Sequence, residues 1–368
     1  RIDDRVAELF VPVILIISLL TFFIWVFFGG IDVVSHGLFA ALSVLVVACP
    51  CAVGLATPVA LAAGLNKAAR NHILIRDTSA LEQMRNVDVV VFDKTGTLTE
   101  GHPTVIGWLW AQGQEEHYKD VLLAAESTSD HPLAEAIVTA LEGEEQVIPA
   151  HLDGFENITG KGVRVAYQGA EYWVGSHKLL KDYQANLSDI LADMLTQYES
   201  DGNSIVYFGR ENDLLAVIAI KDQLRVTSME AIRELRIQDI EICMLTGDGE
   251  RTASSVAGSL GIMRFVADAM PDDKEDFIHK LQLQGKTVAM VGDGVNDARA
   301  LSCADVSIAT GKGTDTLMDT AMITLRTSDL LLLPKVFRLS RQTVSLMYRN
   351  LFWAFIYNTV GILSLIHI

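Results

Sequence analysis

Cysteine is scarce. The 368 residues hold four, too few for a disulfide scaffold. Eight prolines and no low-complexity run exclude a largely disordered chain. Charge is thin, at 20% of residues, and cations are the rarer sign: 29 against 46 acidic groups, a net charge of −17. Such a surface repels a phosphate backbone, so nucleic acid is excluded as a partner. What is abundant is apolar side chain. Half the sequence is hydrophobic, at 50%, and mean hydropathy is +0.30. A wholly soluble protein seldom carries that balance, and the length accommodates two or three domains.

The hydropathy is concentrated in three runs. Val11–Phe28 carries no charged side chain, Gly37–Leu65 is uncharged but broken by Pro50 and Pro58, and Asn350–Ile368 has Tyr357, Asn358 and His367 as polar interruptions. Each is long enough for a membrane helix, which takes about 20 residues; the competing reading is a buried core helix. The first run ends in aromatics and lacks a small-residue cleavage site, unlike a signal peptide. Arg1, Arg5, Lys67, Arg70, Arg338, Arg341 and Arg349 flank the runs, whereas the Gly29–His36 loop has no lysine or arginine. The basic flanks put the N-terminus and the large 70–345 insertion in the cytoplasm. The chain reads as a fragment, with Leu363–Ile368 resembling a translated adapter tail.

The insertion changes pattern. Val87–Phe92, Ile240–Leu245, Thr287–Val291 and Asp305–Ala309 are short, nearly continuous apolar runs, three of them closed by polar turns, as buried parallel strands are. Helical stretches, Ser228–Arg236 and Asp272–Gln284, lie between them. This predicts a doubly wound α/β domain with its site at the strand ends. A separate mixed segment sits inside it, with helices over 122–141 and 187–198 and strands over 162–167, 171–174, 204–209 and 214–220. The expected domains are membrane helices over 1–70, an α/β domain over 71–103 and 222–335, an insertion over 104–221, and a membrane helix over 336–368.

Asp93, in Asp93-Lys94-Thr95-Gly96-Thr97, closes the first strand. A carboxylate there can attack a phosphoryl group and form an acyl phosphate. Lys94 is adjacent, with its direction open, and Gly96 lets amides approach phosphate oxygens. Asp293 and Asp297 supply hard oxygens for Mg²⁺. Thr246 offers a hydroxyl and Lys274 a charge for the developing anion. Any one of these pieces is also consistent with a simple turn; together and in this order they favour phosphate chemistry. Thr95 stands where a phosphatase of Asp-x-Asp pattern keeps its second carboxylate, so water should attack the acyl phosphate slowly.

These motifs resemble the P-type ATPases. DKTGTLT at Asp93–Thr99, TGD at Thr246-Gly247-Asp248 and GDGVNDA at Gly292–Ala298 match that family's phosphorylation, second and hinge motifs, with Arg299 where proline is usual. The resemblance implies a haloacid-dehalogenase-like phosphorylation domain with an inserted α+β nucleotide-binding domain, plus transmembrane helices. It implies phosphorylation of Asp93 by ATP, with Thr95 among the Mg²⁺ ligands. No Thr-Gly-Glu-Ser motif occurs, so the actuator domain and the first and last membrane helices are expected to be missing.

In the insertion, Glu126 and His131-Pro132 precede a helix, and Gly160-Lys161-Gly162 permits close backbone approach. Taken alone they read equally well as a cap and a hairpin. The heavy-metal P-type ATPases carry a similar set, which implies that Glu126, His131, Gly160 and Gly162 hold the nucleotide; Ser176 replaces the asparagine usual after Val174-Gly175. Cys49-Pro50-Cys51 sits mid-run, where proline opens a helix and two thiolates suit Cu(I), Ag(I) or Zn(II). With Tyr357-Asn358 it resembles the copper-exporting subgroup. That implies a Cu(I)-exporting, multi-pass membrane enzyme, expected in a bacterial plasma membrane, with its catalytic domains cytoplasmic and copper delivered by a metallochaperone. A Zn(II)/Cd(II) exporter and a membrane-tethered phosphatase are the alternatives. Cys243 and Cys303 read as core thiols.

Overall fold

A computed structural model describes residues 2–30, 34–47, 51–111, 115–129, 131–144, 147–185, 189–293, 297–311 and 320–367. The chain divides into two units, residues 1–85 with 335–368, and residues 86–334.

The first unit is helical, with long helices over Ile2–Gly29, Val34–Val47, Cys51–Arg70 and Leu332–His367. Small residues let them meet. A methyl group at Gly64 would lie 2.6 Å from Thr343 Oγ1, the close approach that glycine grants to helices in an apolar medium. Ser18 Oγ donates to the Ala41 carbonyl at 2.9 Å, beside the Ile14–Val44 contact. Outward faces are apolar, and Phe27 and Phe28 are 83% exposed. Among the described residues one helical stretch, Val11–Phe28, is long and apolar enough to span a bilayer, with a mean hydropathy of 2.7. Of the Gly37–Leu65 run, the described residues lie in the helices Val34–Val47 and Cys51–Arg70, and residues 48–50 lie outside the described residues. The Asn350 run is the end of a longer helix that starts at Leu332.

The second unit holds two sheets. The first runs, within this unit, Ile323–Leu325, Val306–Ala309, Val288–Gly292, Val89–Asp93, Glu241–Leu245, Arg264–Val266, every neighbouring pair parallel. Val89–Asp93 and Val288–Gly292 are buried at every residue, as strands covered on both faces must be. From Val89–Asp93 the chain winds outward to one side, then returns to the other. Asp93 thus stands at the topological switch point, where the crevice of a doubly wound sheet opens. The fold class expected from the sequence is the one observed.

The second sheet is antiparallel, in the order Thr104–Trp110, Asp213–Lys221, Ser204–Arg210, Ala170–Gly175, Gly162–Tyr167, Gly154–Ile158. Strand alternation builds a core on each face. Tyr172, Val174 and Phe208 pack with Leu122 and Ile137, whereas Trp173 and Tyr207 pack with Leu179 and Leu195. The helix expected over 122–141 is two, Glu115–Glu126 and Pro132–Glu142. Proline cannot donate to the preceding turn but is preorganised for a first helical position, so it starts a new helix.

Candidate active site

The loop after Asp93 is shaped by its own residues. Thr95 is extended, and Gly96 has φ of 69°, a left-handed value that glycine adopts without strain. A methyl group there would fall 1.6 Å from Asp293 Oδ2. The absence of a side chain at Gly96 is thus what admits the second carboxylate. Asp93, Asp293 and Asp297 each aim a carboxylate oxygen into one spot, the atoms all within 4.8 Å of one another. Lys274 Nζ donates to Asp93 Oδ1 at 2.5 Å and to Asp297 Oδ1 at 2.7 Å. Three acidic groups and one ammonium are thereby gathered from three segments, all buried or half-buried.

The electrostatics report a shortage of positive charge. Burial, then the neighbouring Asp93 and Asp297, push Asp293 up to about 7, partly offset by Arg225. Burial draws Lys274 down, but Asp93 and Asp297 outweigh it and hold the ammonium above its ordinary range. A hard divalent cation fits this donor set, because carboxylate oxygens at one spot satisfy it and it would relieve their repulsion.

Lys94 does not face this cluster. Its Nζ pairs with Asp248 Oδ2 at 2.5 Å and donates to Ser204 Oγ at 3.0 Å. Burial alone would raise Asp248, but Lys94, with hydrogen bonds from Lys94, Ser204 and Thr246, holds it below the usual carboxylate range. The Thr246 hydroxyl, expected to face a phosphoryl anion, donates instead to Asp248 Oδ2 at 2.8 Å. Gly247, between them, is exposed.

Sequence reasoning missed the residues that brace the loop. Arg225 is buried; its guanidinium donates to the Thr97 carbonyl at 2.9 Å and to the Gly96 carbonyl. Asp222 accepts from Thr99 Oγ1 at 2.5 Å and from the Gly101 amide at 3.1 Å. The same Thr99 oxygen accepts from the Gly96 amide at 2.9 Å. Local sequence flags neither Arg225 nor Asp222, since over a hundred residues separate each from the loop it braces.

The nucleotide candidates lie at the end of one helix, the start of the next and a hairpin of the antiparallel domain. Glu126 is buried, and desolvation raises it to about 7. His131 caps the Pro132–Glu142 helix, its Nδ1 accepting from the Leu133 amide at 3.2 Å. The cap reading holds, and the ring still has Nε2 to offer. The ring is solvent-exposed, yet surrounding protein lowers its pKa by desolvation, against the pull of Asp248 and Asp93. Gly160 and Gly162 shape the hairpin joining Gly154–Ile158 to Gly162–Tyr167. Their φ values are 70° and 144°, and a methyl group at Gly162 would meet the Val174 carbonyl at 2.1 Å. Ser176 Oγ is buried without a hydrogen-bond partner.

In the helical unit, Asn358 is buried, and its Nδ2 has no hydrogen-bond partner, whereas Tyr357 is 74% exposed. The two do not face one spot. Cys49, Pro50 and the Cys51 side chain lie outside the described residues, as do Gly294, Val295 and Asn296.

Residues 87–305 match the family described as haloacid dehalogenase-like hydrolase. A copper-exporting P-type ATPase of Legionella pneumophila is 40% identical over 362 residues, which cover 98% of this chain and 49% of the relative. The chain thus spans about half the length of the curated relatives it matches. Among solved structures, a zinc-transporting PIB-type ATPase in its E2.Pi state is 33% identical with a TM-score of 0.70, over 98% of this chain and 58% of that one. The catalytic domain of the CPx-ATPase CopB-B is 27% identical with a TM-score of 0.62, over 74% of this chain and 98% of that one.

Proposed function

Because the chain belongs to the haloacid dehalogenase-like hydrolase family, we propose that it is part of an ATP-driven Cu(I) exporter that works through an aspartyl phosphate on Asp93. The observation that carries this reading is the convergence of Asp93, Asp293, Asp297 and Lys274 at the ends of parallel strands. ATP held near Glu126, His131, Gly160 and Gly162 presents its γ-phosphorus to Asp93. One carboxylate oxygen attacks, the bond to the β–γ bridging oxygen breaks, and ADP leaves with that electron pair. Lys274 keeps a positive charge beside the attacked group. Mg²⁺, held by Asp93, Asp293 and Asp297 with Thr95, would neutralise phosphoryl charge. With Thr95 where a second carboxylate would activate water, the acyl phosphate persists long enough to alter access to an ion site.

Copper, with silver as its close analogue, is favoured by Cys49-Pro50-Cys51 in a run without acidic residues. Two thiolates neutralise a soft monovalent ion without a further counter-charge. Relatives named as copper-exporting point the same way. The zinc-transporting neighbour favours Zn(II) as the second reading. The setting is a bilayer, in a bacterial plasma membrane, with the Asp93 unit cytoplasmic and a metallochaperone supplying the ion. Incubation with γ-labelled ATP tests the chemistry. We expect hydroxylamine-labile label on the wild-type chain and none on Asp93→Asn; equal labelling of both overturns it. Stimulation of the longer protein by Zn(II) but not Cu(I) would replace copper with zinc.

A further inference from the structure

We propose that Glu275, His279 and Cys303 form a second metal site, suited to Zn(II), on the pair of helices next to Lys274 and Asp297. None of the three has a part in phosphoryl transfer. Glu275 and His279 lie one turn apart on the Pro271–Leu283 helix, so their side chains share a face. Cys303 ends the neighbouring helix, Ala298–Cys303. The three ligand atoms all lie within 4.8 Å of one another. Cys303 Sγ is 3.5 Å and His279 Nε2 is 3.9 Å from the same oxygen, Glu275 Oε1.

A supporting layer orients each ligand. Gln282 Nε2 donates to the Cys303 carbonyl at 2.9 Å and to Asp305 Oδ2 at 3.3 Å. That leaves Gln282 Oε1 as an acceptor 3.2 Å from His279 Nδ1. The network therefore assigns the ring proton to Nδ1 and leaves the Nε2 lone pair for the cluster. Arg299 forms an ion pair with Glu275 Oε2 at 2.8 Å, with Oε1 left toward the thiol. Metal sites fix ring tautomer and carboxylate orientation through partners of this kind.

The donor set selects the ion. A thiolate, a carboxylate and a neutral imidazole carry two negative charges, which a divalent ion balances. Mg²⁺ and Ca²⁺ prefer oxygen alone. One sulfur, one nitrogen and one oxygen, with water as a fourth ligand, suit tetrahedral Zn(II). His279 is exposed and Glu275 and Cys303 are half-buried, so the ion can enter from solvent. Once bound, it would clamp the two helices together.

The test uses the full chain in detergent carrying Cys49→Ser and Cys51→Ser, which leaves Cys243 and Cys303 as the thiols. Co(II), a spectroscopic stand-in for Zn(II), is titrated in and then displaced by Zn(II). With Mg²⁺ in excess to occupy the Asp93, Asp293 and Asp297 carboxylates, we expect a thiolate-to-cobalt charge-transfer band and tetrahedral visible absorption that saturate at one equivalent. The band should vanish in Cys303→Ser. Affinity should fall at least tenfold in His279→Gln and Glu275→Gln, and about tenfold in Gln282→Ala. A band that survives Cys303→Ser overturns the site. So does undiminished affinity in His279→Gln, which means a lone thiol adduct; that exposed position does not threaten the fold. Equal circular dichroism spectra across the variants separate lost binding from lost structure.

Discussion

Gly96 is the residue at which shape and charge meet most closely. Its left-handed backbone and missing side chain make the space that Asp293 occupies. Gly96→Ala should therefore displace the Asp293 carboxylate and reduce phosphoenzyme formation by about a hundredfold or more; we expect labelling to recover in part at high Mg²⁺. Glu126 gives a different residue-level prediction. Its carboxyl is raised from 4.5 to about 7 by burial, so the folded state holds a proton that the unfolded chain releases. The stability this lends is complete below about pH 4.5 and is lost as pH rises through 7. The full loss is on the order of 3 kcal/mol. A melting temperature that falls between pH 5 and pH 8 in the wild type and falls less steeply in Glu126→Gln would bear this out, the remaining fall belonging to Asp293, which burial also holds at about 7.

The antiparallel domain depends on hairpins that tolerate no extra atom at certain positions. Gly162 pairs with Gly175 across the sheet and leaves no room for a methyl group beneath the Val174 carbonyl. Gly162→Ala should open that end of the sheet, lower the melting temperature by several degrees, and weaken ATP binding at least tenfold, both measurable by thermal shift with and without nucleotide. This element also marks how far the sequence could be read. The buried runs at Val89–Asp93 and Val288–Gly292 were plain because each is an apolar stretch that leads straight into an aspartate. Gly154–Ile158 escaped notice because Glu156 and Asn157 interrupt it and it is largely exposed. The Asp93, Asp293 and Asp297 cluster was legible because each carboxylate follows a strand. Arg225, Asp222 and Ser204 were not, because their roles arise only when distant segments fold together. Position left the direction of Lys94 open and offered Thr246 to the phosphoryl anion; both side chains meet Asp248. Cys243 is a buried core thiol as read. Cys303 is half-buried beside a carboxylate.

At the scale of the molecule, residues 86–334 form a compact unit holding both sheets and the carboxylate cluster. Cut at those bounds, this segment should fold alone and unfold cooperatively. ATP with Mg²⁺ at a hundred times its dissociation constant should stabilise it by about 2.7 kcal/mol. For a segment of this size that is a rise of about 5–10 °C in melting temperature; an unchanged melt would mean that the cleft needs the helical unit to bind nucleotide.

The single hydroxyl of Thr99 has two duties. It receives the Gly96 amide on one side and meets Asp222 on the other, and Asp222 directly follows Asp213–Lys221, the strand by which the chain leaves the antiparallel domain. A swing of that domain wide enough to part Thr99 from Asp222 therefore frees the hydroxyl to reorient, and the Gly96 amide in the loop after Asp93 loses a fixed acceptor. Moving the antiparallel domain and loosening the loop that carries Gly96 are in this way one motion rather than two.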